Sequence, residues 1–341
     1  MVRAVRERGV ASIWVWAFGY FAAYAPYSLL TKALSDGLLG PKVPGNMILP
    51  LSTFASFIVA LMFLFATGWW RSATKVMVGG LALPRPTRWT ALSGLCGATI
   101  LTTTTLAYTL EGVSIVFMML LMRGGVLIMA PLVDALSRRA VRTASWVALG
   151  LTLLSLLVAM AGRVEGARIS LVASLNVAAY LGAYFVRLQF MSRLAKSDSA
   201  DATRRYFVEE QLVSTPAAFV ALGVLAMIGS GHALGEIREG FTTLPFTSMW
   251  PWAVLIGILS QAVGVFGALV LLDKSENSFS VPVNRASSVL AGVVATLGLQ
   301  LIWSGPPLEL SEGLGAALVI AAIVVLSVPA FNPKKPAMPT R

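Results

Sequence analysis

Long apolar stretches alternate with short polar segments along the whole chain. Eight of these stretches carry no charged residue. Each is long enough to cross a hydrocarbon layer of about 30 Å, because a helix rises about 1.5 Å per residue. Two further stretches qualify if one internal charge is accepted, which is Arg123 in one and Arg285 in the other. The pattern predicts ten transmembrane helices, at residues 9–31, 43–70, 89–110, 112–133, 143–162, 169–186, 211–230, 240–272, 277–303 and 313–332.

The composition supports the same prediction. Of the 341 residues, 57% are hydrophobic and 12% are charged, whereas soluble globular proteins carry about 25% charged residues. A soluble domain and a disordered chain are therefore excluded, and a single cysteine excludes a disulfide scaffold. We predict an all-α integral membrane protein. Its first apolar stretch is too long for the core of a signal peptide, so we expect it to be retained as a helix.

The net charge of +11 does not indicate nucleic-acid binding, because the basic residues form short clusters between apolar runs instead of one basic face. With the N-terminus inside, 18 of the 26 Lys and Arg residues fall on the cytoplasmic side of the ten predicted helices and four on the other side. The positive-inside rule then places both termini in the cytoplasm. We expect a multi-pass protein of a bacterial inner membrane.

Two acid–arginine pairs recur at the same spacing in the two halves of the chain. Glu111 precedes Arg123 by 12 residues, and Asp273 precedes Arg285 by 12 residues, so the pairs are 162 positions apart. These arginines are the basic residues nearest to the middle of any predicted helix. Their recurrence indicates an internal repeat, with chance as the alternative.

A second match supports the repeat. Tyr24 and Tyr180 each follow two alanines and are 156 positions apart. One change in loop length between the two halves would account for the difference between this offset and the offset of 162 positions. Because five helices is an odd number, the second copy must enter the membrane from the opposite side. We therefore predict two inverted five-helix repeats, residues 1–162 and 163–341, with a substrate site near the midplane between them.

Arg123 and Arg285 are the leading candidates for function. A charge at the bilayer centre costs between about 2.5 and 17 kcal/mol, so each should face a cavity or a partner. The planar guanidinium suits a carboxylate or a phosphate, and the two are expected to share one cavity. The structural alternative is a tie to backbone carbonyls or to an acid on a neighbouring helix.

Polar residues at helical spacing suggest the remaining wall of the site. Tyrosines recur every three or four residues on the first and sixth predicted helices, where they could bind a substrate or simply pack against other helices. Gln261 and Ser288 add polar groups on the eighth and ninth. The predicted substrate-binding residues are Arg123, Arg285, Tyr24, Tyr180, Asn176, Tyr20, Ser288 and Gln261.

Four charged residues near helix ends receive a structural interpretation. We expect Lys32 to extend toward the membrane surface and Arg187 to do the same or to pair with Glu209 or Glu210. Glu209 and Glu210 could bind protons for coupling. They also stand just before the predicted helix 211–230, where the helix dipole favours acids, and we favour that interpretation.

The chain resembles the drug/metabolite transporter superfamily, and in particular its EamA-like ten-helix members. The resemblance is greatest over residues 114–160, where a helix, a basic turn and a second helix carry Pro131, Leu136, Arg139, Trp146 and Gly150 in the usual order. The family's Gly-Glu-Arg after the fourth helix is replaced by Ser-Arg-Arg at residues 137–139. The resemblance implies alternating access by one chain or by a homodimer, and the paired arginines look more like the sugar-phosphate and nucleotide-sugar branch.

An enzyme is not expected. The one histidine, His232, lies in the predicted outer loop before the eighth helix, so histidine-based metal sites and general-base triads lack parts. There is also no phosphate-binding loop of the GxxxxGK[ST] type. We therefore expect no cofactor, and a small-molecule substrate and the lipid bilayer as partners. The sequence favours a secondary transporter of a small anionic or zwitterionic metabolite. The alternatives are an exporter of apolar or aromatic compounds, or a non-transporting membrane protein such as a lipid-binding or assembly factor.

Overall fold

The computed structural model describes residues 2–78, 81–109, 115–136, 146–147, 150–151, 153–155, 157–158, 171–195, 200–273, 277–304 and 308–331. Glu111, the basic turn at 137–145 and most of the predicted fifth helix lie outside these residues. Within them, α-helices with defined bounds are α1 Val2–Ser35, α2 Gly45–Ala66, α3 Arg88–Thr109, α4 Ile115–Leu136, α5 Leu171–Phe190, α6 Ala200–Ile228, α7 His232–Thr242, α8 Trp250–Leu271, α9 Asn277–Trp303 and α10 Leu310–Phe331.

The protein is an all-α, multi-pass membrane protein. Six described helical segments are long and apolar enough to cross a bilayer, at Gly45–Ala66, Arg88–Ala107, Leu171–Ala195, Asp201–Ile228, Trp250–Leu271 and Val283–Trp303. Large apolar side chains on these segments face outward, where lipid would cover them. Met227, for example, is 87% exposed and Leu301 is 85% exposed, an arrangement that water would not tolerate over so many residues.

One short helix corrects the predicted span 240–272. The chain forms α7, which ends at Thr242, then a 3₁₀ turn at Leu244–Phe246, and only then α8 from Trp250. Pro245 and Pro251 explain the break. Proline lacks a backbone N–H and so is accommodated in the first turn of a helix but not in its interior. His232 therefore starts a short helix and does not lie in an open loop.

The helices pack in pairs that bring distant parts of the chain together. Helix α1 packs against α8 and α9, and α5 packs against α3 and α4. Helix α2 lies against α8 and α6, α3 lies against α6, and α4 against α9. Helices α1, α4, α5 and α9 thereby meet at the centre, and the polar residues that they carry are brought together there.

Two helices approach each other through glycine. A Cβ atom added to Gly257 of α8 would lie 2.2 Å from the carbonyl oxygen of Ser52 and 2.7 Å from Cβ of Ala55, both on α2. The hydroxyl of Ser56 donates a hydrogen bond of 2.7 Å to the carbonyl of Gly257. Small residues allow such backbone contact, which replaces the hydrophobic effect as the source of helix association in lipid.

A two-stranded hairpin lies between α2 and α3. Strands β1 Lys75–Val78 and β2 Leu81–Pro84 pair antiparallel. Residues on both sides of the hairpin bind one carboxylate of α6. Glu209 accepts hydrogen bonds from the backbone N–H and hydroxyl of Thr74, the N–H of Thr87 and the hydroxyl of Thr90, at 2.7 to 3.2 Å. The carboxylate therefore fixes the hairpin to the bundle.

The contact at Gly257 can be tested by adding one methyl group. We expect Gly257→Ala to destabilise the protein by about 1–3 kcal/mol, because the methyl meets rigid backbone. Gly264→Ala on the same helix is the control, since a Cβ there meets nothing within 4 Å. Thermal unfolding of purified protein in detergent measures both. Equal apparent Tm values for the two variants would contradict the described helix contact.

Candidate functional site

Arg123 lies at the centre of the bundle between two tyrosines. It projects from α4 and is 3% exposed. Its two terminal nitrogens donate to the hydroxyl of Tyr24 on α1 and to the hydroxyl of Tyr180 on α5. Its guanidinium carbon lies 5.2 Å from the centre of each ring. Each tyrosine thus contributes both a hydrogen bond and a cation–π contact to the same charge.

Arg285 of α9 occupies the adjoining position and is completely buried. One terminal nitrogen donates a long hydrogen bond of 3.4 Å to the hydroxyl of Tyr180, which therefore contacts both arginines. The guanidinium carbon stands 4.6 Å from the ring centre of Tyr184. Nε and the other terminal nitrogen of Arg285, together with Nε of Arg123, have no hydrogen-bond partner among the described residues.

The two guanidinium groups lack an acidic partner within the part of the chain that the structure describes. No described carboxylate lies within ion-pair distance of Arg123 or Arg285. Hydroxyl dipoles and ring faces compensate a buried charge only in part. Among the described residues the cluster therefore carries positive charge, and its N–H groups without a described partner could donate to an anion.

A cavity of about 100 Å³ adjoins this cluster, which is room for several water molecules. Arg123 is part of its wall, and polar residues of α1, α3, α5, α6, α8 and α9 make up much of the rest. The polar or charged members of the wall are Tyr20, Tyr24, Tyr27, Thr104, Arg123, Tyr184, Arg187, Glu210, Gln211, Ser214, Thr215, Ser260, Gln261 and Asn284. These hydrogen-bonding groups stand among apolar residues in the cavity wall, which is the usual composition of a small-molecule pocket.

The cavity wall also holds an ion pair. Nε of Arg187 donates to Oε1 of Glu210 at 2.7 Å, and Nη2 donates to Oε2 at 2.8 Å. This confirms the prediction that Arg187 pairs with one of the two acids. The helix-dipole interpretation of Glu209 and Glu210 is wrong, because α6 begins at Ala200 and places both acids well inside the helix, almost fully buried.

The eight predicted residues fall into three groups. The cavity is lined by Arg123, Tyr20, Tyr24 and Gln261. Tyr180 contacts both Arg123 and Arg285, but neither Tyr180 nor Arg285 is part of the cavity wall. Asn176 and Ser288 are not part of the cavity wall. Asn176 donates to the carbonyl of Thr103 at 2.9 Å, and Ser288 donates to the carbonyl of Arg285 at 2.9 Å. The sequence therefore anticipated the arginine–tyrosine cluster but not which of its members reach the cavity.

Several residues of the cavity wall were not among the predicted eight. Tyr184 belongs to the tyrosine pattern of the sixth predicted helix, and Arg187 and Glu210 are charged residues near predicted helix ends. Neither these three residues nor Gln211 and Asn284 are among the eight. The available signal was a polar side chain within or beside an apolar stretch. Gln211, for example, receives a hydrogen bond of 3.0 Å from Gln261, a pairing between two such positions. Lys32, outside this site, pairs with Asp36 at 3.2 Å.

Comparison with known proteins identifies the fold and no more. No protein-family model and no curated protein sequence matches this chain. Among solved structures, 11 chains match. A crystal structure among them superposes with a TM-score of 0.56 at 15% sequence identity, over 95% of this chain and 99% of the other. Similarity at that level shows a shared fold over nearly the full length of both chains and leaves the function open.

The hydroxyl of Tyr180, which contacts both arginines, should contribute more to stability than the hydroxyl of Tyr27 on α1. We expect Tyr180→Phe to cost about 1.5–3 kcal/mol, because it removes a hydroxyl that accepts from charged groups. Tyr27→Phe removes the hydrogen bond of 2.9 Å between two neutral hydroxyls, those of Tyr27 and Thr105, and should cost about 0.5–1.5 kcal/mol. Detergent thermal shifts compare the two. A larger loss for Tyr27→Phe would contradict the described cluster.

Proposed function

We propose that this protein is a secondary transporter of a small anionic or zwitterionic metabolite, working by alternating access around the arginine–tyrosine cluster. The observation that carries the proposal is a pair of buried guanidinium groups that no described carboxylate neutralises, beside a polar cavity. Retaining two such charges in an apolar bundle is costly, so a structural role alone explains them poorly. An anion in the cavity would lie against Arg123 and offset the positive charge of the cluster.

The proposal includes ten transmembrane helices in two inverted five-helix repeats. Support comes from the way in which helices pair. If α1 is exchanged with α5, α2 with α6, α3 with α8 and α4 with α9, the contact of α1 with α8 becomes that of α5 with α3. The contacts α1–α9 and α2–α8 likewise become α5–α4 and α6–α3, and the pairs α4–α9 and α2–α6 map onto themselves.

Individual contacts follow the same exchange. The hydrogen bond from Arg123 to Tyr24 corresponds to the one from Arg285 to Tyr180, at the two sequence offsets that suggested the repeat. The close contact of Gly257 with α2 corresponds to that of Gly97 with α6, where an added Cβ would lie 3.0 Å from Cβ of Ser214. Inverted repeats of this kind are typical of secondary transporters, with the substrate between them.

Membership of the drug/metabolite transporter superfamily is part of the same proposal. It is supported by the sequence resemblance and by these symmetric contacts. If the protein had this fold but did not transport, we would expect a closed centre in which acidic side chains of the protein neutralise both arginines. The described residues offer Arg123 and Arg285 tyrosine hydroxyls instead.

The proposed orientation has both termini in the cytoplasm of a bacterial cell, in the inner membrane. Contacts between loops are consistent with it. Thr74 and Thr87, which the positive-inside rule assigns to the cytoplasmic side, bind Glu209 from the same side. Asn46 and Glu236, both assigned to the outer side, share a hydrogen bond of 2.8 Å.

Anion binding should depend on both arginines. We expect Arg123→Gln and Arg285→Gln each to weaken the binding of an anionic substrate more than tenfold, since a hydrogen bond to a charged group contributes about 1.5–3 kcal/mol. Arg123 would make that bond in the described conformation, and Arg285 in the opposite-facing conformation that alternating access requires. Arg205→Gln is the matched control, because Arg205 is exposed on α6. A thermal-shift screen of carboxylates, sugar phosphates and cationic drugs identifies the ligand, and titration gives Kd. Unchanged Kd in both folded variants would refute the proposed site.

The orientation has its own test. Alkaline phosphatase fused to the C-terminus should be inactive, because the enzyme matures only outside the cytoplasm, and a fluorescent protein at the same place should fluoresce. Alkaline phosphatase fused after Gly231, between α6 and α7, should be active. The reverse pattern would invert the proposed topology without affecting the site.

A further inference from the structure

The ion pair of Arg187 and Glu210 lies where a substrate would meet it. Both side chains line the same cavity as Arg123. Tyr184 lies between the two sets of charges, since its ring packs on Arg285 and it interacts electrostatically with Arg123 and Arg187 as well. An anion held by Arg123 is therefore adjacent to a third guanidinium, and Glu210 occupies the binding edge of that third group.

The bidentate geometry gives Glu210 the role of an internal anion. Its two oxygens use Nε and Nη2 of Arg187, the edge of the guanidinium that best fits a carboxylate or a phosphate. A substrate anion that binds there must displace the carboxylate. A displaced, charged Glu210 would then be buried without a partner, at a cost of several kcal/mol.

The groups around Glu210 can form hydrogen bonds with its neutral, protonated form as well as with its charged form. The hydroxyl of Ser93 lies 2.7 Å from Oε1 of Glu210 and 2.6 Å from the hydroxyl of Tyr206, which is itself 3.3 Å from Oε1. Hydroxyls donate or accept hydrogen bonds as required, so this triangle can accept a hydrogen bond from a neutral carboxyl as readily as donate one to a carboxylate.

Few other titratable groups face Glu210 from the elements that surround it. Arg187 faces it from α5, Cys96 from α3 and Tyr206 from its own helix. Helix α2 has no titratable side chain. Arg71, in the 3₁₀ turn Trp69–Ser72, is exposed. The charged residues of α7 lie where that helix packs against the far end of α6, around Leu222 and Ala226.

We propose that the Arg187–Glu210 pair couples anion binding to the uptake of one proton. The anion replaces Glu210 on Arg187, and one oxygen of Glu210 binds a proton from the water of the cavity. No covalent bond in either molecule breaks, and the added proton offsets one negative charge of the ligand. The inference rests on the proposed anion site and adds the coupling ion, so that transport of the anion is proton-linked.

The direction of the pH dependence follows from linkage. If the anion-bound protein holds one more proton than the free protein, affinity rises as pH falls, by up to about tenfold per pH unit. Sulfate is the probe, because its own charge is constant between about pH 5 and pH 8. We expect its Kd for the unmodified protein in detergent to follow this slope.

Two glutamate variants separate coupling from general acidity. Glu210→Gln keeps the shape of the side chain and removes the titrating group, so sulfate affinity should no longer change with pH and should match or exceed that of the unmodified protein at low pH. Glu209→Gln is the matched control, since Glu209 is the neighbouring buried acid but binds threonines and no arginine. It should keep the slope of the unmodified protein.

A direct proton count does not depend on any variant. Sulfate added to the unmodified protein in weak buffer with a pH indicator should remove about one proton from solution for each sulfate bound. Sulfate binding without proton uptake, or a slope that persists in Glu210→Gln, would overturn the coupling and leave the anion site standing. Absence of sulfate binding at every pH would overturn the anion site itself and the coupling with it.

Discussion

Burying two guanidinium groups in an apolar helical bundle is the constraint on which the central structure depends. Arg123 is buried in the middle of α4, and α1 and α5 each present a tyrosine that supplies it with an acceptor and a ring face. Those tyrosines must approach closely, which requires the helices around them to pack through small residues. Charge, aromatic contact and helix packing at the centre are thus parts of one arrangement.

The sequence predicted the six described membrane-spanning segments and part of the site, for separable reasons. Hydrophobicity alone locates a membrane-spanning stretch, and rare charges within such a stretch identify Arg123 and Arg285. Side-chain direction depends on tertiary packing, which explains why Asn176 and Ser288 satisfy the backbone and do not reach the cavity. The start of α6 was misplaced because Arg187 and the threonines stabilise buried acids there, and no local pattern encodes those distant partners.

The two arginines are equivalent in the proposed symmetry and unlike in their surroundings. Arg123 touches the cavity and binds two tyrosines, whereas Arg285 is sealed and keeps unpaired N–H groups. An inverted pair in a transporter is expected to be asymmetric in any one state, because only one side of the membrane has access at a time. The difference between them then describes one conformation of the protein and not a difference in role.

Glu209 and Glu210 are neighbours in the chain, and this adjacency has a mechanical consequence. Successive residues of a helix project about 100° apart, so one acid holds the hairpin between α2 and α3 while the next closes on Arg187. A rotation of α6 about its axis that loosens one of these contacts necessarily displaces the other. The cavity wall and the hairpin are therefore linked through a single peptide unit of α6.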